Sequence, residues 1–118
     1  MKGNFPKTVK EHHENVRALR CCITDNPWPT IHHTHGGSMM DAGYNSGGAQ
    51  RGCGEALVIP LKADYHVGDQ GIDYGTGVLT WELWYGTQME HLREVNESLD
   101  YDIFELHEAW QKSAPPRG

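Results

Sequence analysis

The sequence has no long apolar run, few basic residues and only three cysteines. No segment approaches the roughly 18 consecutive apolar residues of a membrane span, and the first residues carry no apolar stretch of the signal-peptide kind. Cys21, Cys22 and Cys53 are odd in number and two of them are adjacent, so reduced thiols are expected rather than a disulfide framework. We therefore predict a cytoplasmic protein without a membrane segment.

Basic residues are also scarce, with 10 Lys and Arg against 16 Asp and Glu and a formal charge of −6. A broad DNA-binding surface derives its affinity from many Lys and Arg contacts to phosphates, so this balance excludes one. Contact with DNA must then be local or assisted by a second protein. Half of the basic residues fall within the first twenty positions and are predicted to form a docking arm: Lys2, Lys7, Lys10, Arg17 and Arg20.

At 118 residues, with 37% hydrophobic residues, the chain predicts one domain with a modest core that a bound metal would help to stabilise. We predict an N-terminal helix and basic arm over residues 1–20. A metal-binding domain is expected over 21–112, followed by a flexible tail over 113–118.

Two short apolar stretches predict strands on either side of a glycine-rich segment. The first runs through Thr30-Ile31-His32-His33, and the second, from Glu55 to Leu61, is β-branched and apolar. The segment between Gly36 and Gly54 is expected to be a long irregular loop that contacts substrate or is mobile, with Arg51 as its only basic residue. The pattern favours an α+β domain with a hairpin across this loop.

Helical spacing of apolar residues predicts helices over 8–20, 81–98 and 99–112. Thr80 is the expected N-cap of the second helix, and Gly86 is a candidate break within it. Histidines next to glutamates on these helices are expected on solvated faces rather than in a site; they are His12, His13, His91 and His107.

The remaining histidines and one aspartate have the chemistry of a divalent-metal site. Adjacent residues on a strand point to opposite sides, but the twist at a strand end can let one of His32 and His33 ligate while the other faces an attacking water. His66 and Asp73, separated by a glycine-flanked turn, close the site from the other side. His35 is a competing ligand or base.

The order of these residues resembles the HNH (His-Me finger) endonucleases, closest to the phage recombination-enhancement nucleases of the Ref type. The resemblance covers roughly residues 20 to 95. It rests on Ile31-His32-His33, on Ile59-Pro60-Leu61 with His66, on Gly71-Ile72, and on Trp81-Glu82 with Tyr85-Gly86-Thr87.

The resemblance implies a ββα-metal core with a long glycine-rich loop and additional helices. His33 would be the general base that activates water, and His32, His66 and Asp73 would bind one divalent ion. Asp73 stands where such proteins commonly have histidine, which favours Mg²⁺ or Mn²⁺, with Zn²⁺ also compatible. The implied function is a metal-dependent DNA endonuclease of the phage or prophage recombination type, acting on DNA that a recombinase filament or another DNA-bound protein presents.

An alternative from a different class is a non-catalytic, metal-stabilised module for DNA or protein interaction that has an HNH-like fold. It is motivated by the charge of −6 and by Asp73 in place of histidine. Metal-dependent nicking of plasmid DNA distinguishes the two hypotheses.

Overall fold

In the computed structural model, which describes residues 3–44 and 52–118, the chain forms a small α+β domain, and this class confirms the prediction. Lys2 and Arg51 lie outside the described residues. The described elements, in order, are α1 (Val9–Arg17), β1 (Thr30–His33), α2 (Gly37–Asp41), β2 (Val58–Leu61), α3 (Ala63–His66), α4 (Val78–Tyr85), α5 (Gln88–Ser98) and α6 (Ile103–Lys112). Within the described ranges, no helix is long and apolar enough to cross a membrane.

The two strands pair as an antiparallel hairpin, with Ile31 opposite Pro60 and His33 opposite Val58. All four residues of β2 are buried because α1 and α5 both pack against this strand. Side chains alternate along a strand, so β1 buries the His32 side chain and leaves that of His33 partly exposed. The hairpin therefore presents two consecutive histidines to different surroundings.

The helices differ from the predicted ones at their ends, and two were not predicted: α2, which lies within the segment expected to be an irregular loop, and α3. The expected helix over 81–98 is two helices, α4 and α5, which separate at Gly86 with φ +94°, a conformation that glycine adopts readily. Helix α4 follows Gly77 rather than Thr80, so the predicted N-cap was wrong. Helix α5 is capped instead by Thr87, whose hydroxyl accepts from the Glu90 N–H at 3.1 Å.

Helix α1 carries the clearest error of the sequence interpretation. His12 and His13 are buried, not solvated. His12 Nε2 donates to the Ala56 carbonyl at 2.9 Å, so its Nδ1 accepts from the Tyr101 hydroxyl at 2.7 Å. His13 Nε2 donates to the Glu55 carbonyl at 3.0 Å. The two rings thus fix the segment that leads into β2.

His91 was also predicted on a solvated face and is buried instead. Its Nε2 donates to the Tyr85 carbonyl at 2.8 Å, across the Gly86 break. The C-terminal residues lie against α1: the carbonyls of Pro116 and Arg117 accept from the Val9 and Lys10 N–H groups, each at 2.9 Å. These N–H groups belong to the first turn of α1, where backbone N–H groups have no carbonyl partners within the helix.

The buried histidines of α1 make fold stability sensitive to acid. Burial, aided by nearby positive charge, lowers the pKa of His12 and of His13 to about 4 each. Above pH ~6.5 both rings are neutral in folded and unfolded chains; below it the unfolded chain takes up the protons first, so stability falls until about pH 4. We expect the free energy of unfolding to fall by up to about 1.4 kcal/mol per pH unit for each histidine. The urea midpoint between pH 8 and 4 measures this fall. His12→Gln, which cannot titrate, should flatten the slope, whereas an equal slope in both proteins would contradict the assignment.

Candidate metal centre

Asp73 is the centre of a cluster of three histidines. Its Oδ2 lies 2.9 Å from His66 Nε2 and 3.4 Å from His32 Nδ1, and its Oδ1 lies 2.8 Å from His35 Nε2. The structure therefore brings together the predicted ligands His32, His66 and Asp73 and adds His35, which the sequence left as a competing ligand or base.

A tight turn after α3 places Asp73 beside His66. The Ile72 and Asp73 N–H groups donate to the Tyr65 and His66 carbonyls at 3.1 and 3.0 Å, and the Ile72 side chain is buried in the core. Gly71 permits this approach, because a Cβ there would lie 2.6 Å from the His66 carbonyl group. A side chain at position 71 would therefore clash, which explains why this position is glycine.

Gln88 fixes the tautomer of His32. The amide Nε2 of Gln88 donates to the His35 carbonyl at 2.8 Å and to Glu82 Oε2 at 3.3 Å, so its Oε1 faces the other way and accepts from the His35 N–H at 3.0 Å. His32 Nε2, 3.0 Å from the same Oε1, must donate to it. The lone pair of the neutral ring is then on Nδ1, which is buried, has no hydrogen-bond partner among the described residues, and faces Asp73.

Thr30 fixes the tautomer of His66. The Thr30 hydroxyl gives its one proton to the Leu61 carbonyl at 2.8 Å, so it can only accept from His66 Nδ1 at 2.7 Å. His66 Nε2 therefore carries the lone pair, and it points at the Asp73 carboxylate. Such outer hydrogen bonds are the usual way in which proteins orient metal-binding histidines.

The charges of the cluster follow from burial and from these contacts. Burial lowers the pKa of His32, which stays neutral at pH 7. The Asp73 contact raises the pKa of His35, which has the most exposed side chain of the four at 36%.

These donors fit a divalent cation. Two lone-pair nitrogens, on His32 and His66, face an ionised carboxylate, and such an arrangement repels unless a positive charge lies between them. One ligand atom from each of His32, His35 and Asp73 lies within 4.8 Å of the other two, a set that includes His35 and not His66. Ligands at roughly 2.0–2.3 Å from one ion are separated by up to about 4.6 Å, so the spacing suits a shared ion. The partly exposed side, at His35 and Asp73, leaves access from solvent.

Replacing Gln88 by leucine removes the group that fixes both His32 and the His35 backbone. We expect metal affinity to fall roughly 10- to 100-fold, as for other outer-shell partners of metal ligands, measured by calorimetric titration with Mn²⁺ and Zn²⁺. The matched control is Gln111→Leu, an exposed residue at the C-terminal end of α6. Equal affinities for the two variants would show that Gln88 does not orient the ligands.

His33, the predicted general base, does not contact Asp73 in this cluster but belongs to a second one. Its Nε2 lies 2.5 Å from Glu55 Oε1, and its ring stands edge-on to that of His13 at 5.6 Å between centroids. Glu55 Oε2 pairs with the Arg117 guanidinium. The two adjacent histidines of β1 thus enter two different networks, one around Asp73 and one around Glu55.

The sequence interpretation missed several residues of both networks, namely Thr30, Glu82 and Gln88 around Asp73, and His13 and Glu55 around His33. One signal was available: Glu82 is the only charged residue in the otherwise apolar α4. Its carboxylate accepts from the Ser38 N–H at 2.9 Å and the Gln88 N–H at 2.7 Å, so it holds α2 and α5 around the cluster.

No known protein family, curated protein or solved structure matches this chain. The three cysteines are free thiols, as predicted.

Proposed function

We propose that this protein is a metal-dependent endonuclease that hydrolyses DNA phosphodiesters by the HNH chemistry its sequence resembles. The observation that carries the proposal is the convergence of two oriented imidazole lone pairs and an ionised carboxylate, one residue away from a histidine paired with a carboxylate. Hydrolysis of a phosphodiester by this chemistry uses a metal-ligand cluster together with a base.

His32, His66 and Asp73 would hold the cation, with His35 as a further ligand on the exposed side. The bound ion would supply a Lewis acid for the phosphate oxygens. The sequence favours Mg²⁺ or Mn²⁺, but up to three imidazoles with one carboxylate suit Mn²⁺ or Zn²⁺ better than Mg²⁺, which prefers oxygen ligands. Mn²⁺ is the ion that satisfies both considerations.

His33 is the residue that takes the proton from water. An ionised carboxylate can only accept, so His33 Nε2 donates to Glu55 Oε1 and the neutral ring carries its lone pair on Nδ1. In the proposed reaction water gives a proton to His33 and its oxygen to phosphorus. The bond from phosphorus to the leaving sugar oxygen breaks, and that oxygen takes up a proton from solvent.

Four residues of the predicted basic arm lie on or beside α1. Lys7, Lys10, Arg17 and Arg20 are exposed on or beside α1, the helix whose His13 stacks edge-on with His33. These positive charges can contact phosphates locally, although the net charge of −6 makes the protein as a whole repel DNA. We propose DNA as the substrate, with a recombinase filament or another DNA-bound protein presenting it.

The test is nicking of supercoiled plasmid by metal-free protein with Mg²⁺, Mn²⁺ or Zn²⁺ added, with and without a recombinase filament on the DNA. We expect nicking that requires the added ion, fastest with Mn²⁺, and faster still with the filament. Tight metal binding without nicking in any arm would overturn the proposal and favour the non-catalytic interaction module, for which the acidic charge is the specific argument.

A further inference from the structure

Glu55 occupies an unusual position for an acidic residue. Its side chain is only 11% exposed, it lies three residues before the buried strand β2, and its carboxylate lies 2.5 Å from His33 Nε2. Hydrogen bonds between a ring N–H and an ionised carboxylate are among the stronger ones in proteins. Burial of an unpaired carboxylate costs free energy, and the contact with His33 provides the pairing that Glu55 needs.

We propose that Glu55 is a positioning residue for His33, held in place by Arg117 of the C-terminal tail. The inference rests on the proposed function, in which His33 accepts the proton of water. Glu55 fixes the tautomer that leaves the lone pair on Nδ1, and its negative charge stabilises the imidazolium that forms. Glu55 itself keeps its charge throughout and passes no proton on.

Other groups hold Glu55 from each side. Arg117 pairs with Oε2, the oxygen that His33 does not use. His13 donates to the Glu55 backbone carbonyl at 3.0 Å and lies 3.6 Å from Oε1. The carbonyls of Pro116 and Arg117 accept from the first turn of α1, which anchors the tail next to this network.

The same residues are poorly suited to bind a second metal ion, although His13, His33 and Glu55 each bring a ligand atom within 4.8 Å of the others. His13 Nε2 is occupied as a donor to a carbonyl, and the Arg117 guanidinium already balances the carboxylate. Around Asp73 lone pairs face a negative charge, whereas around Glu55 each donor meets an acceptor. The Glu55 network therefore orients a ring rather than holding a cation.

The first measurement does not depend on catalysis. Long-range ¹H–¹⁵N spectra of ¹⁵N-histidine-labelled protein report the tautomer of each ring, and the His33 signals are assigned by their loss in His33→Ala. We expect wild-type His33 as the Nε2–H tautomer, Glu55→Ala as a mixture of both tautomers, and Glu55→Gln as the wild-type tautomer restored, since the amide oxygen still accepts. An unchanged tautomer in Glu55→Ala would overturn the assignment, whatever the nuclease activity.

The second measurement is steady-state nicking kinetics with the metal that supports nicking best. We expect kcat to fall roughly 10- to 100-fold in Glu55→Ala with KM unchanged, less in Glu55→Gln, and only several-fold in Arg117→Gln. Arg117 is 57% exposed, so its replacement tests the network without disturbing the core. Exposed Glu97→Gln is the control with wild-type kcat.

Melting curves and metal titration establish that the variants fold and that the Asp73 cluster is intact. Unchanged kcat in folded Glu55→Ala would refute the positioning role. Wild-type protein that fails to nick with any metal would instead refute the proposed function, while the tautomer spectra still decide whether Glu55 orients His33.

Discussion

Replacing Asp73 by asparagine is expected to lower metal affinity by at least about 100-fold, the largest effect of any single change around the cluster. Asp73 supplies the only negative charge among the four residues, and both of its oxygens face imidazole nitrogens. Ion binding at about 100 times the dissociation constant stabilises a fold by about 2.7 kcal/mol, which is roughly 10 °C in Tm for a domain of this size. We expect that shift in wild-type protein and at most about 2 °C in Asp73→Asn, because a 100-fold loss of affinity leaves only about 0.4 kcal/mol of stabilisation at the same ion concentration.

Without metal, Asp73→Asn is not expected to be less stable than wild type. The asparagine amide offers two N–H donors to the lone pairs on His32 Nδ1 and His66 Nε2, so it relieves the repulsion that the carboxylate creates. We therefore expect metal-free Asp73→Asn to melt at or above the wild-type temperature. The control is Asp69→Asn, on an exposed residue of the same turn, which should retain the metal-induced shift. A metal-induced shift in Asp73→Asn equal to that of wild type would show that the ion binds elsewhere.

Replacing His33 by alanine is expected to lower the rate of nicking about 10²- to 10⁴-fold, the range for removal of a general base. Metal affinity should change by less than about threefold, because His33 contacts Glu55 and His13 rather than Asp73. Single-turnover nicking and calorimetric titration of the same preparation separate the two quantities.

Two further variants make the result specific to His33. His107→Ala, on the partly buried face of α6, controls for the loss of an imidazole and should nick at the wild-type rate. If His33→Ala nicks at the wild-type rate while His35→Ala does not nick but binds the metal with wild-type affinity, the base is His35. His35 lies on the exposed side of the cluster with a pKa raised by Asp73.

Much of the framework could be predicted from sequence because the signals are local. Alternating and β-branched apolar residues indicated the two strands, which pair with Ile31 opposite Pro60. A glycine among helical apolar residues marked the break between α4 and α5. Ligand chemistry and a glycine-flanked turn singled out His32, His66 and Asp73, and the fold places them within contact of one another.

The errors and omissions have a common physical origin. His12 and His13 look like solvated helix residues beside glutamates, yet tertiary packing buries them, and their partners Tyr101 and Glu55 lie 89 and 42 residues along the chain. Nothing local marks such partners, because a buried imidazole is stable wherever packing supplies a donor and an acceptor.

The sequence by itself determined the α+β class, the hairpin and which residues carry metal-binding chemistry, since hydrophobic periodicity, turn sterics and ligand type are properties of neighbouring residues. The tertiary structure alone decided which nitrogen of each ring carries the lone pair. That choice depends on Gln88, 56 residues from His32, on Thr30, 36 residues from His66, and on Glu55, 22 residues from His33. A neutral histidine can carry its proton on either ring nitrogen, a hydrogen-bond partner distant in sequence selects one of the two, and only the packed chain brings that partner within hydrogen-bonding distance.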